Sequence, residues 1–571
     1  MPEPPDTLSK VLALAKRRGF FWPSCEIYGG VAGFYDYGPL GAQLKASVEG
    51  LWRSYYVAGE GFAELSAPAI SPEAVFRASG HLEKFSDLMA ECGKCGEAFR
   101  ADHLLRELAP GEEPPASVET MAAALRRAGA RCPKCGGDLS EPFAFNLMFR
   151  TNIGPGTRRP GYLRPETAQA MFLDFGLLYR HFREKLPFGA VQIGRGFRNE
   201  IAPRQGIIRL REFNMAEAEV FVDPERKARH PRFSEVAGMR LRLVPGEGPE
   251  GDLSLGEAVS RGTMAHESIA YFVGLTARFL VEAGVDPARL RFRQHAQDEM
   301  AHYAADCWDA ETLLSFGWTE VVGVADRTCY DLEAHMRASG QDLRAFARYE
   351  TPVTVERTVV APVHAVLGPR FKKDARAVAR ALEALEAGAV EGRDSVEVEA
   401  DGRKLKVEKD CFTVKKTTET SSGRWFTPHV IEPSYGIDRI IYSVLEHAYS
   451  ETKKEGEDYF VLRLRPMMAP IQVAVFPLLN KDELVAVADD INRRLGEAGF
   501  RTHSEAADSI GRRYARMDEV GAPFCVTVDF DTLKDGTVTV RDRDTTRQVR
   551  LALAEVAGAV GELIEGTRRI D

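Results

Sequence analysis

The most regular pattern of hydrophobic and polar positions predicts a hairpin over residues 194–221, which read GRGFRNEIAPRQGIIRLREFNMAEAEVF. GRGFRNE ends one predicted strand, APRQG supplies turn residues, and IIRLREF returns with the alternation of a strand. Arg198 and Glu200 stand two residues apart and share one strand face, as do Arg209 and Arg211. Planar guanidinium groups suit a phosphate, whereas a nearby carboxylate suits an amine or a metal ion. Taken by itself, the pattern is more typical of a solvated hairpin with scattered charges.

The remaining patterns predict an α+β protein. Helices are predicted at DTLSKVLALAKRR, from Pro165 onward, and at GTMAHESIAYFVGLTARFLVEAGV, with a strand at EPFAFNLMF. RFRQHAQDEMAHYAAD predicts a strand followed by a helix, and WTEVVGVA predicts another strand. From residue 468, strands at IQVAVFPL, FRTHSEA, FCVTVDF and TVTVRDRDT alternate with helices predicted over 481–498, 508–520 and 547–565. This change of pattern indicates a separate C-terminal α/β domain.

Length and composition narrow the class of protein. A chain of 571 residues with 44% hydrophobic and 28% charged positions is expected to form two to four soluble globular domains. The N-terminus lacks the basic start and apolar run of a secretory signal, and no apolar run has the roughly 20 residues of a membrane span. We therefore expect a cytoplasmic protein with no membrane partner. Because the net charge is −9, any contact with RNA must come from a local basic patch.

Nine cysteines in such a chain argue against a disulfide framework. Four of them form two Cys-x2-Cys pairs, a spacing that places two sulfurs on one tight turn and predicts a closed, structural zinc site. The alternative is four reduced thiols without a metal. The four predicted ligands are Cys92, Cys95, Cys132 and Cys135. The others are dispersed and are interpreted as ordinary core or surface residues, namely Cys25, Cys307, Cys329, Cys411 and Cys525.

FRNE, followed by a loop and then R-x-x-E-F, resembles the second signature motif of class II aminoacyl-tRNA synthetases. The fuller string RNEIAPRQGIIRLREFNMAEAE is similar to glycyl-tRNA synthetases of the dimeric type shared by archaea and eukaryotes. In that family the first arginine of the motif grips the α-phosphate of ATP. The resemblance implies ATP-binding roles for Arg198, Asn199, Glu200, Arg209, Leu210 and Phe213.

Two further words extend the resemblance. YLRPETAQ is similar to the family segment whose glutamate, here Glu166, meets the amino group of glycine. A carboxylate in the first turn of a helix is also explained by the helix dipole alone. GWTEVVGVADR resembles a segment in which the glutamate, Glu320, lies beside ATP and its magnesium, with Val321 next to it. The arginine of that segment, Arg327, is implied to take the carboxylate of the substrate.

EPSYGIDR resembles the third class II motif in its glycine-specific form. An arginine in the first turn of a helix is well placed for a polyphosphate, and the resemblance assigns Arg439 to the γ-phosphate. The glycine-binding residues that the family implies are Glu166, Glu217, Arg327, Glu432, Pro433 and Ser434, and the implied catalytic residues are Arg198, Arg439 and Glu320. The alternative is that this segment is an ordinary strand, turn and helix with no functional role.

The two ends of the chain carry weaker resemblances. GFAELSAPAI reads as a strand closed by Pro68 and resembles the first class II motif, which forms the interface of a homodimer. The C-terminal domain resembles the anticodon-binding domain of the glycyl, histidyl, prolyl and threonyl enzymes. Arginines with a tyrosine are the residue types that meet phosphates and stack on bases. The tRNA-binding residues predicted here are Arg512, Arg513, Tyr514 and Arg516.

The predicted fold is therefore a class II synthetase antiparallel sheet flanked by helices, with insertions and a C-terminal α/β anticodon-binding domain. The predicted divisions are catalytic domain 1–90, zinc-binding insertion 91–140, catalytic 141–222, helical and loop insertion 223–290, catalytic 291–339, α/β insertion 340–424, catalytic 425–460 and anticodon-binding domain 468–571.

The resemblance implies a homodimeric glycine–tRNA ligase that uses ATP, Mg2+ and a structural Zn2+, with glycine and tRNA-Gly as partners. Two alternatives remain at this stage. One is a class II synthetase for histidine, proline or threonine. The other is a non-catalytic nucleic-acid-binding paralogue that kept the fold, although such a protein has no need of the ATP-binding arginines that this sequence retains.

Overall fold

The computed structural model describes residues 6–111, 114–115, 117–155, 159–296, 300, 304–390, 392–454 and 457–570. The chain divides into two compact units. One comprises Met1–Leu343 with Thr427–Asp571, and the other comprises Arg344–Phe426. Within the described ranges, every helix is too short or too polar to cross a membrane.

The strands follow one another in this order: β1 (Phe21–Pro23), β2 (Tyr35–Tyr37), β3 (Ala63–Glu64), β4 (Ile70–Pro72), β5 (Ser86–Glu91), β6 (Ala98–Arg100), β7 (Phe143–Asn146), β8 (Arg150–Asn152), β9 (Pro160–Leu163), β10 (Phe188–Phe197), β11 (Glu212–Val222), β12 (Arg240–Val244), β13 (Gly251–Ser254), β14 (Leu290–Gln294), β15 (Asp306–Leu314), β16 (Gly317–Thr328), β17 (Ala345–Pro362), β18 (Ser395–Ala400), β19 (Arg403–Glu408), β20 (Phe412–Phe426), β21 (His429–Gly436), β22 (Tyr449–Lys454), β23 (Glu457–Leu462), β24 (Val473–Pro477), β25 (Thr502–Ser504), β26 (Phe524–Val528), β27 (Thr537–Asp542) and β28 (Gln548–Ala552).

The helices are α1 (Thr7–Arg18), α2 (Pro39–Arg53), α3 (Glu73–Ala78), α4 (His81–Lys84), α5 (Ala101–Leu108), α6 (Val118–Arg127), α7 (Ala168–Leu173), α8 (Phe175–His181), α9 (Leu255–Ser260), α10 (Glu267–Ala283), α11 (Tyr330–Ser339), α12 (His364–Phe371), α13 (Ala375–Glu383), α14 (Ala387–Val390), α15 (Ile437–Ala448), α16 (Asp482–Glu497), α17 (Ile510–Val520), α18 (Thr532–Asp535) and α19 (Val556–Glu565). The helix predicted after β14 falls largely on residues outside the described ranges.

The largest sheet of the described chain has nine strands in the order β13-β12-β14-β15-β16-β21-β11-β10-β3. Its pairs are antiparallel except β12 with β14 and β10 with β3. One face is covered by α2, α10 and α15 and forms the main hydrophobic core, which explains why α10 is apolar around most of its circumference. This arrangement confirms the predicted antiparallel sheet flanked by helices.

The segment predicted as an insertion over residues 223–290 belongs to this sheet. Its strands β12 and β13 extend the sheet at one edge, and its helix α10 lies in the core. The glycine- and proline-rich sequence between the two strands is typical of a loop, so periodicity did not predict their pairing.

The opposite face of the sheet is polar at its centre. Strand register places Glu217 opposite Ser434 and Ser434 opposite Gly323, so these positions share that face. A β-bulge in β16 then sets Glu320 opposite Glu311, because the register skips one residue between the two strands. The bulge turns the Glu320 side chain to the same face.

Two smaller bodies have cores of their own. Strands β5, β6 and β7 form a three-stranded sheet that packs with α5 and α6. This body spans the predicted zinc-binding insertion over 91–140 and extends beyond it at both ends, because β5 begins at Ser86 and pairs with β7, which ends at Asn146. The second compact unit corresponds to the region predicted as an α/β insertion. Its long strands β17 and β20 form an antiparallel pair, and α12, α13 and the β18–β19 hairpin lie between them in the chain and share a separate core.

The C-terminal body is a five-stranded sheet in the order β25-β24-β26-β27-β28, with α16, α17 and α19. The first three strands are parallel and the last two are antiparallel. The helix predicted over 547–565 is in fact β28 followed by α19, because residues 548–552 complete the sheet before the helix starts.

Candidate active site

A cavity lies over the polar face where β11, β16 and β21 meet the start of α15. Its walls include eight of the nine residues predicted to bind ATP, namely Arg198, Glu200, Arg209, Leu210, Phe213, Glu320, Val321 and Arg439. The ninth, Asn199, lines a neighbouring cavity, and its backbone N–H donates to the carbonyl of Leu147. The fold therefore brings together residues from three distant segments of the chain. We call this space the nucleotide cavity.

The hairpin that supplies half of these walls differs from its prediction. Strand β10 ends at Phe197, and the returning strand begins at Glu212 rather than at Ile207. The loop between them carries Arg209 into the cavity, whereas Arg211 donates to the backbone carbonyls of Glu200 and Ala32. Alternation had placed the two arginines on one face, and the loop separates them.

Arg198 lies between two aromatic rings. Its guanidinium carbon is 5.3 Å from the ring centres of both Phe85 and Phe213. Gly196 allows this approach, because a Cβ there would lie 2.5 Å from the Phe213 ring. Cation–π contacts fix the orientation of a planar guanidinium without using its N–H donors.

Arg439 lies in the first turn of α15, as predicted. Its Nη1 donates to Glu320 Oε2 at 3.1 Å and to the Glu320 carbonyl at 2.9 Å, and its Nε donates to the Ile208 carbonyl at 3.1 Å. Although desolvation opposes the shift, Arg439 lowers the pKa of Glu320. The carboxylate is therefore ionised at neutral pH.

Sequence reasoning missed the group that anchors this turn. The buried Asp438 accepts hydrogen bonds from the Tyr37 hydroxyl, from the Asn214 backbone N–H at 2.6 Å and from the Asn214 amide at 2.8 Å. It thereby ties the start of α15 to β11 and to the N-terminal loop. Its position directly before Arg439 was the only signal available in the sequence.

Next to the nucleotide cavity lies a carboxylate cluster formed by Glu166, Glu217 and Glu432. Glu217 is 2% exposed, and its two oxygens accept from the Thr167 backbone N–H and hydroxyl, both at 2.6 Å, and from the Ser434 hydroxyl at 2.7 Å. Ser434 also lines the nucleotide cavity, so the cluster and the cavity share a boundary.

Arg327 links the cluster together. Its Nη1 donates to Glu432 Oε1 at 2.8 Å, its Nε donates to Asp331 Oδ2 at 2.9 Å, and its Nη2 lies 3.8 Å from Glu166 Oε1. The arginine predicted to meet a substrate carboxylate is thus also the partner of the cluster. Asp331, four residues further along the chain, was not predicted. Pro433 is paired with Val324 and faces away from the cluster.

Glu166 precedes helix α7 instead of lying in its first turn, because the helix begins at Ala168. Its Oε1 accepts from the Gln169 amide at 2.8 Å, and its Oε2 lies 3.4 Å from His81 Nε2. Glu166 therefore lies one residue before the N-cap Thr167, and neither of its partners, His81 and Gln169, was predicted.

Burial and mutual repulsion separate the protonation states of the cluster. Burial raises the pKa of Glu432 to about 7, although Arg327 opposes the shift. Burial also raises the pKa of Glu217, and Glu166 adds to that shift. At Glu166, burial also acts to raise the pKa, but His81 and Arg327 outweigh it and hold the pKa well below the usual range. A bound cation would favour ionisation of all three groups.

A fourth glutamate lies beneath the cluster. Glu219 is fully buried, and neither of its side-chain oxygens has a hydrogen-bond partner within the described ranges. Burial raises its pKa well above the usual range, and Glu432 adds to the shift. Burial without a partner therefore favours the protonated form of Glu219.

The four predicted zinc ligands converge, with their sulfurs all within 4.8 Å of one another. Cys92 Sγ lies 3.5 Å from Cys135 Sγ, and Cys95 Sγ lies 3.7 Å from Cys132 Sγ. A tetrahedral zinc ion with bonds of about 2.3 Å places its sulfurs about 3.8 Å apart. The sulfurs are too far apart for disulfides and fit the edges of such a tetrahedron.

The residues predicted to contact tRNA in α17 have different environments. Arg513 is 1% exposed and donates to the carbonyls of Pro477, Leu478 and Glu505, so its guanidinium holds neighbouring loops together. Tyr514 is hydrogen-bonded to Thr527 inside the domain. Arg516 pairs with Glu505 and Asp508, and Arg512 has a side chain that is 78% exposed.

Comparisons with known proteins agree with this geometry. Residues 156–234 match the model of the tRNA synthetase class II core domain (G, H, P, S and T), and residues 472–563 match that of the anticodon binding domain. The chain is 54% identical to a glycine–tRNA ligase of Methanothrix thermoacetophila, with 98% of each chain covered. The chain belongs to the glycine–tRNA ligase family. A member from Archaeoglobus fulgidus is 50% identical, with 99% of this chain and 98% of its own covered. A member from Methanocaldococcus jannaschii is 46% identical, with 98% of this chain and 99% of its own covered.

Membership in the glycine–tRNA ligase family confirms the resemblance found in the signature words. The class II core match covers the predicted second motif, and the anticodon binding match covers the C-terminal sheet. The near-complete coverage means that the similarity extends beyond these two matched regions to most of the chain.

Proposed function

We propose that the chain is a glycine–tRNA ligase, which activates glycine with ATP and transfers the glycyl group to the 3′ end of tRNA-Gly. The observation that carries the proposal is the carboxylate cluster, where three glutamates with one shared arginine adjoin an arginine-lined cavity. An ammonium group is the cation that such a cluster suits, and the neighbouring cavity suits a polyphosphate.

In the first step, a carboxylate oxygen of glycine attacks the α-phosphorus of ATP, and the bond to pyrophosphate breaks. The substrate supplies its own nucleophile, so the protein contributes position and charge. Arg198 is assigned to the α-phosphate and Arg439 to the γ-phosphate. Magnesium bound to ATP would supply further charge neutralisation, and Glu320 is the carboxylate placed to hold it.

The ammonium group of glycine is assigned to Glu166, Glu217 and Glu432. Arg327 keeps Glu432 in position, and the substrate carboxylate is assigned to the same guanidinium. Ser434 closes the cluster by its hydrogen bond to Glu217, and three carboxylates around one amine leave little room for a substrate side chain. In the second step, a hydroxyl of the terminal ribose attacks the carbonyl carbon of glycyl-adenylate and AMP leaves.

The four converged cysteines are proposed to bind one structural zinc ion. Since all four positions of the tetrahedron are filled by protein sulfur, the ion has no open site for chemistry. It joins the turn after β5 to the turn before β7 and so stabilises the body formed by α5 and α6.

We further propose a homodimer that forms through the edge of the nine-stranded sheet at β3. This short strand is the last of its sheet among the described residues, and an unpaired edge is a template for association. A groove of about 960 Å³ lies beside it, with Phe62, Phe182 and Phe188 among its walls. Sedimentation of wild type and of Phe182→Asp tests this assignment, because a charge in the interface should shift the protein toward monomer.

Contact with tRNA is proposed for the C-terminal domain, where Arg512 offers an exposed cation and Arg516 a partly exposed one. We also propose a cytoplasmic location, because the charging of tRNA serves translation. Filter binding of tRNA-Gly to Arg512→Ala, with the buried Arg513 left intact, measures this contribution.

The decisive experiment is ATP–pyrophosphate exchange with each amino acid offered separately, followed by charging of tRNA-Gly. We expect exchange with glycine alone. Exchange with histidine, proline or threonine instead would identify another class II synthetase. Absence of exchange with every amino acid, in protein that is folded and binds RNA, would identify a non-catalytic paralogue.

A further inference from the structure

A second group of side chains with metal-binding chemistry lies on the polar face of the nine-stranded sheet. His295 directly follows β14, and Cys307 and Asp309 lie on β15. One ring nitrogen, the thiol sulfur and one carboxylate oxygen all lie within 4.8 Å of one another. Cys307 was interpreted as an ordinary core or surface residue, because it is separated from the paired cysteines and has no second cysteine near it in the chain.

The register of the sheet explains the convergence. His295 donates its backbone N–H to the Cys307 carbonyl at 3.0 Å, which sets the two residues side by side on neighbouring strands. Cys307 and Asp309 are two residues apart on one strand and therefore share a face. Asp309 lies opposite Gly323, so the group is next to the strand that carries Glu320.

The imidazole of His295 is already oriented. Its Nε2 lies 2.8 Å from Asp309 Oδ2, and its Nδ1 is buried without a hydrogen-bond partner in the described part of the chain. An ion bound by both Nε2 and Asp309 Oδ2 takes the place of the proton between them. Because two tetrahedral ligand atoms lie about 3.3 Å apart at bond lengths of about 2.0 Å, the two side chains need to separate only slightly to admit the ion.

Carboxylates and arginines alternate around the group. Asp309 and Glu311 share one face of β15, and Glu320 lies opposite Glu311. The arginines that pair with these carboxylates are Arg293, which is 3.6 Å from Asp309 and 3.3 Å from Glu311, Arg291, which is 2.6 Å from Glu311, and Arg439, which is 3.1 Å from Glu320. Cys307 is 9% exposed, Asp309 is 5% exposed and the His295 side chain is 22% exposed, so two of the three candidate ligands are shielded from bulk water.

The donor set indicates the class of metal. Magnesium and calcium prefer oxygen ligands alone, whereas one nitrogen, one sulfur and one oxygen suit zinc and similar transition-metal ions. We propose that His295, Cys307 and Asp309 bind a divalent ion of the zinc class, with three protein ligands and an open fourth position. The proposal does not depend on the assigned ligase activity, and this ion is distinct from the one at the four cysteines.

The test is a count of metal ions in the full-length protein, purified without chelator and dialysed against zinc and then against metal-free buffer. We expect about two zinc ions per chain in wild type and about one in Cys307→Ser and in His295→Ala. The matched control is Cys329→Ser, which removes a partly buried thiol outside the group and should keep the wild-type count. Cys92→Ser should lose the other ion and keep this one.

Cobalt substitution supplies a second readout. In protein that carries Cys92→Ser, the remaining cobalt should show a sulfur-to-metal charge-transfer band that disappears when Cys307→Ser is added. Circular dichroism checks that each variant is folded. If Cys307→Ser unfolds, Asp309→Asn and His295→Gln, which preserve side-chain volume, decide by the same count. Equal zinc content in folded wild type and in these variants would overturn the proposal.

Discussion

Arg327 and Glu432 form a buried ion pair, with Arg327 Nη1 2.8 Å from Glu432 Oε1 and with both residues less than a tenth exposed. The two residues had been assigned to opposite ends of the substrate, the arginine to its carboxylate and the glutamate to its ammonium group. Their pairing means that the group assigned to the carboxylate of glycine directly contacts one of the groups assigned to its ammonium. A change at either residue should therefore affect both binding and selectivity.

Shortening Glu432 to Asp should weaken glycine binding and relax the rejection of alanine together. Glycine has only larger competitors, which a packed site refuses by steric overlap. Withdrawing the carboxylate by one methylene opens space beside the ammonium group and lengthens its bond to Arg327. The measurement is the ratio of kcat/KM for glycine and alanine in adenylate formation. A variant that loses glycine activity but keeps the wild-type ratio would show that Glu432 binds the amine without enforcing selectivity.

The KM for glycine should rise as the pH falls below about 7. Burial raises the pKa of Glu432 to about 7 and also raises that of Glu217, so at lower pH the free site holds protons that the ammonium group must expel. Each pH unit below the pKa then costs up to about tenfold in affinity. The pH dependence of KM is measured in the exchange assay between about pH 6 and about pH 8. Glu432→Gln, which cannot ionise, should give a higher and flatter profile, and an equally steep one would refute the assignment.

Arg198→Ala and Arg439→Ala should each lower exchange by roughly two to three orders of magnitude, which corresponds to about 3 to 4 kcal/mol of lost charge stabilisation. The matched control is Arg195→Ala in the same hairpin, since Arg195 has a side chain that is 65% exposed and pairs with Glu212. Wild-type exchange in either cavity variant, with an unchanged control, would contradict the phosphate assignment.

Removal of the zinc ion from the four cysteines should loosen the body between β5 and β7 and leave the nine-stranded sheet protected. All four ligands lie within that body, so the coupling between metal binding and folding is local. Hydrogen exchange of Cys92→Ser, followed by peptide mass analysis, measures the difference. Cys25→Ser removes an exposed thiol and serves as the control. Equal protection of peptides from β5, α5 and α6 in both variants would show that no structural metal is present.

Tyr37→Phe should lower kcat for exchange more than it raises KM for ATP. Its hydroxyl holds Asp438, which fixes the first turn of α15 and hence Arg439. A looser turn keeps the arginine in the cavity but not in the geometry that the transition state requires. The measurement is the separate change in kcat and in KM, with the thermal midpoint recorded alongside. If kcat and KM match the wild-type values, the hydroxyl has no positioning role.

The sequence was sufficient to predict the family, the antiparallel sheet and most residues that line the nucleotide cavity, because each signature motif is local and chemically specific. It could not predict that Glu320 and Arg327 share a face, since residues seven apart on a regular strand point to opposite faces. The bulge in β16 reverses that expectation, and bulges have no clear signature in a single sequence.

Long-range packing accounts for the other differences. Arg513 looks like an RNA-binding residue in its own segment, but it donates hydrogen bonds to the carbonyls of Pro477, Leu478 and Glu505. Likewise, Asp331 and His81 meet the carboxylate cluster only because two helices from separate parts of the chain begin there. Contacts of this kind depend on tertiary structure and leave no mark on local periodicity.

The second compact unit begins and ends at directly paired residues, since Ala345 of β17 lies opposite Phe426 of β20. A segment whose two ends are neighbours can be replaced by a short turn without moving the strands that precede and follow it in the chain. Removal of this unit should therefore leave the register of the nine-stranded sheet unchanged. The same property makes it a natural point at which to graft another module onto the enzyme.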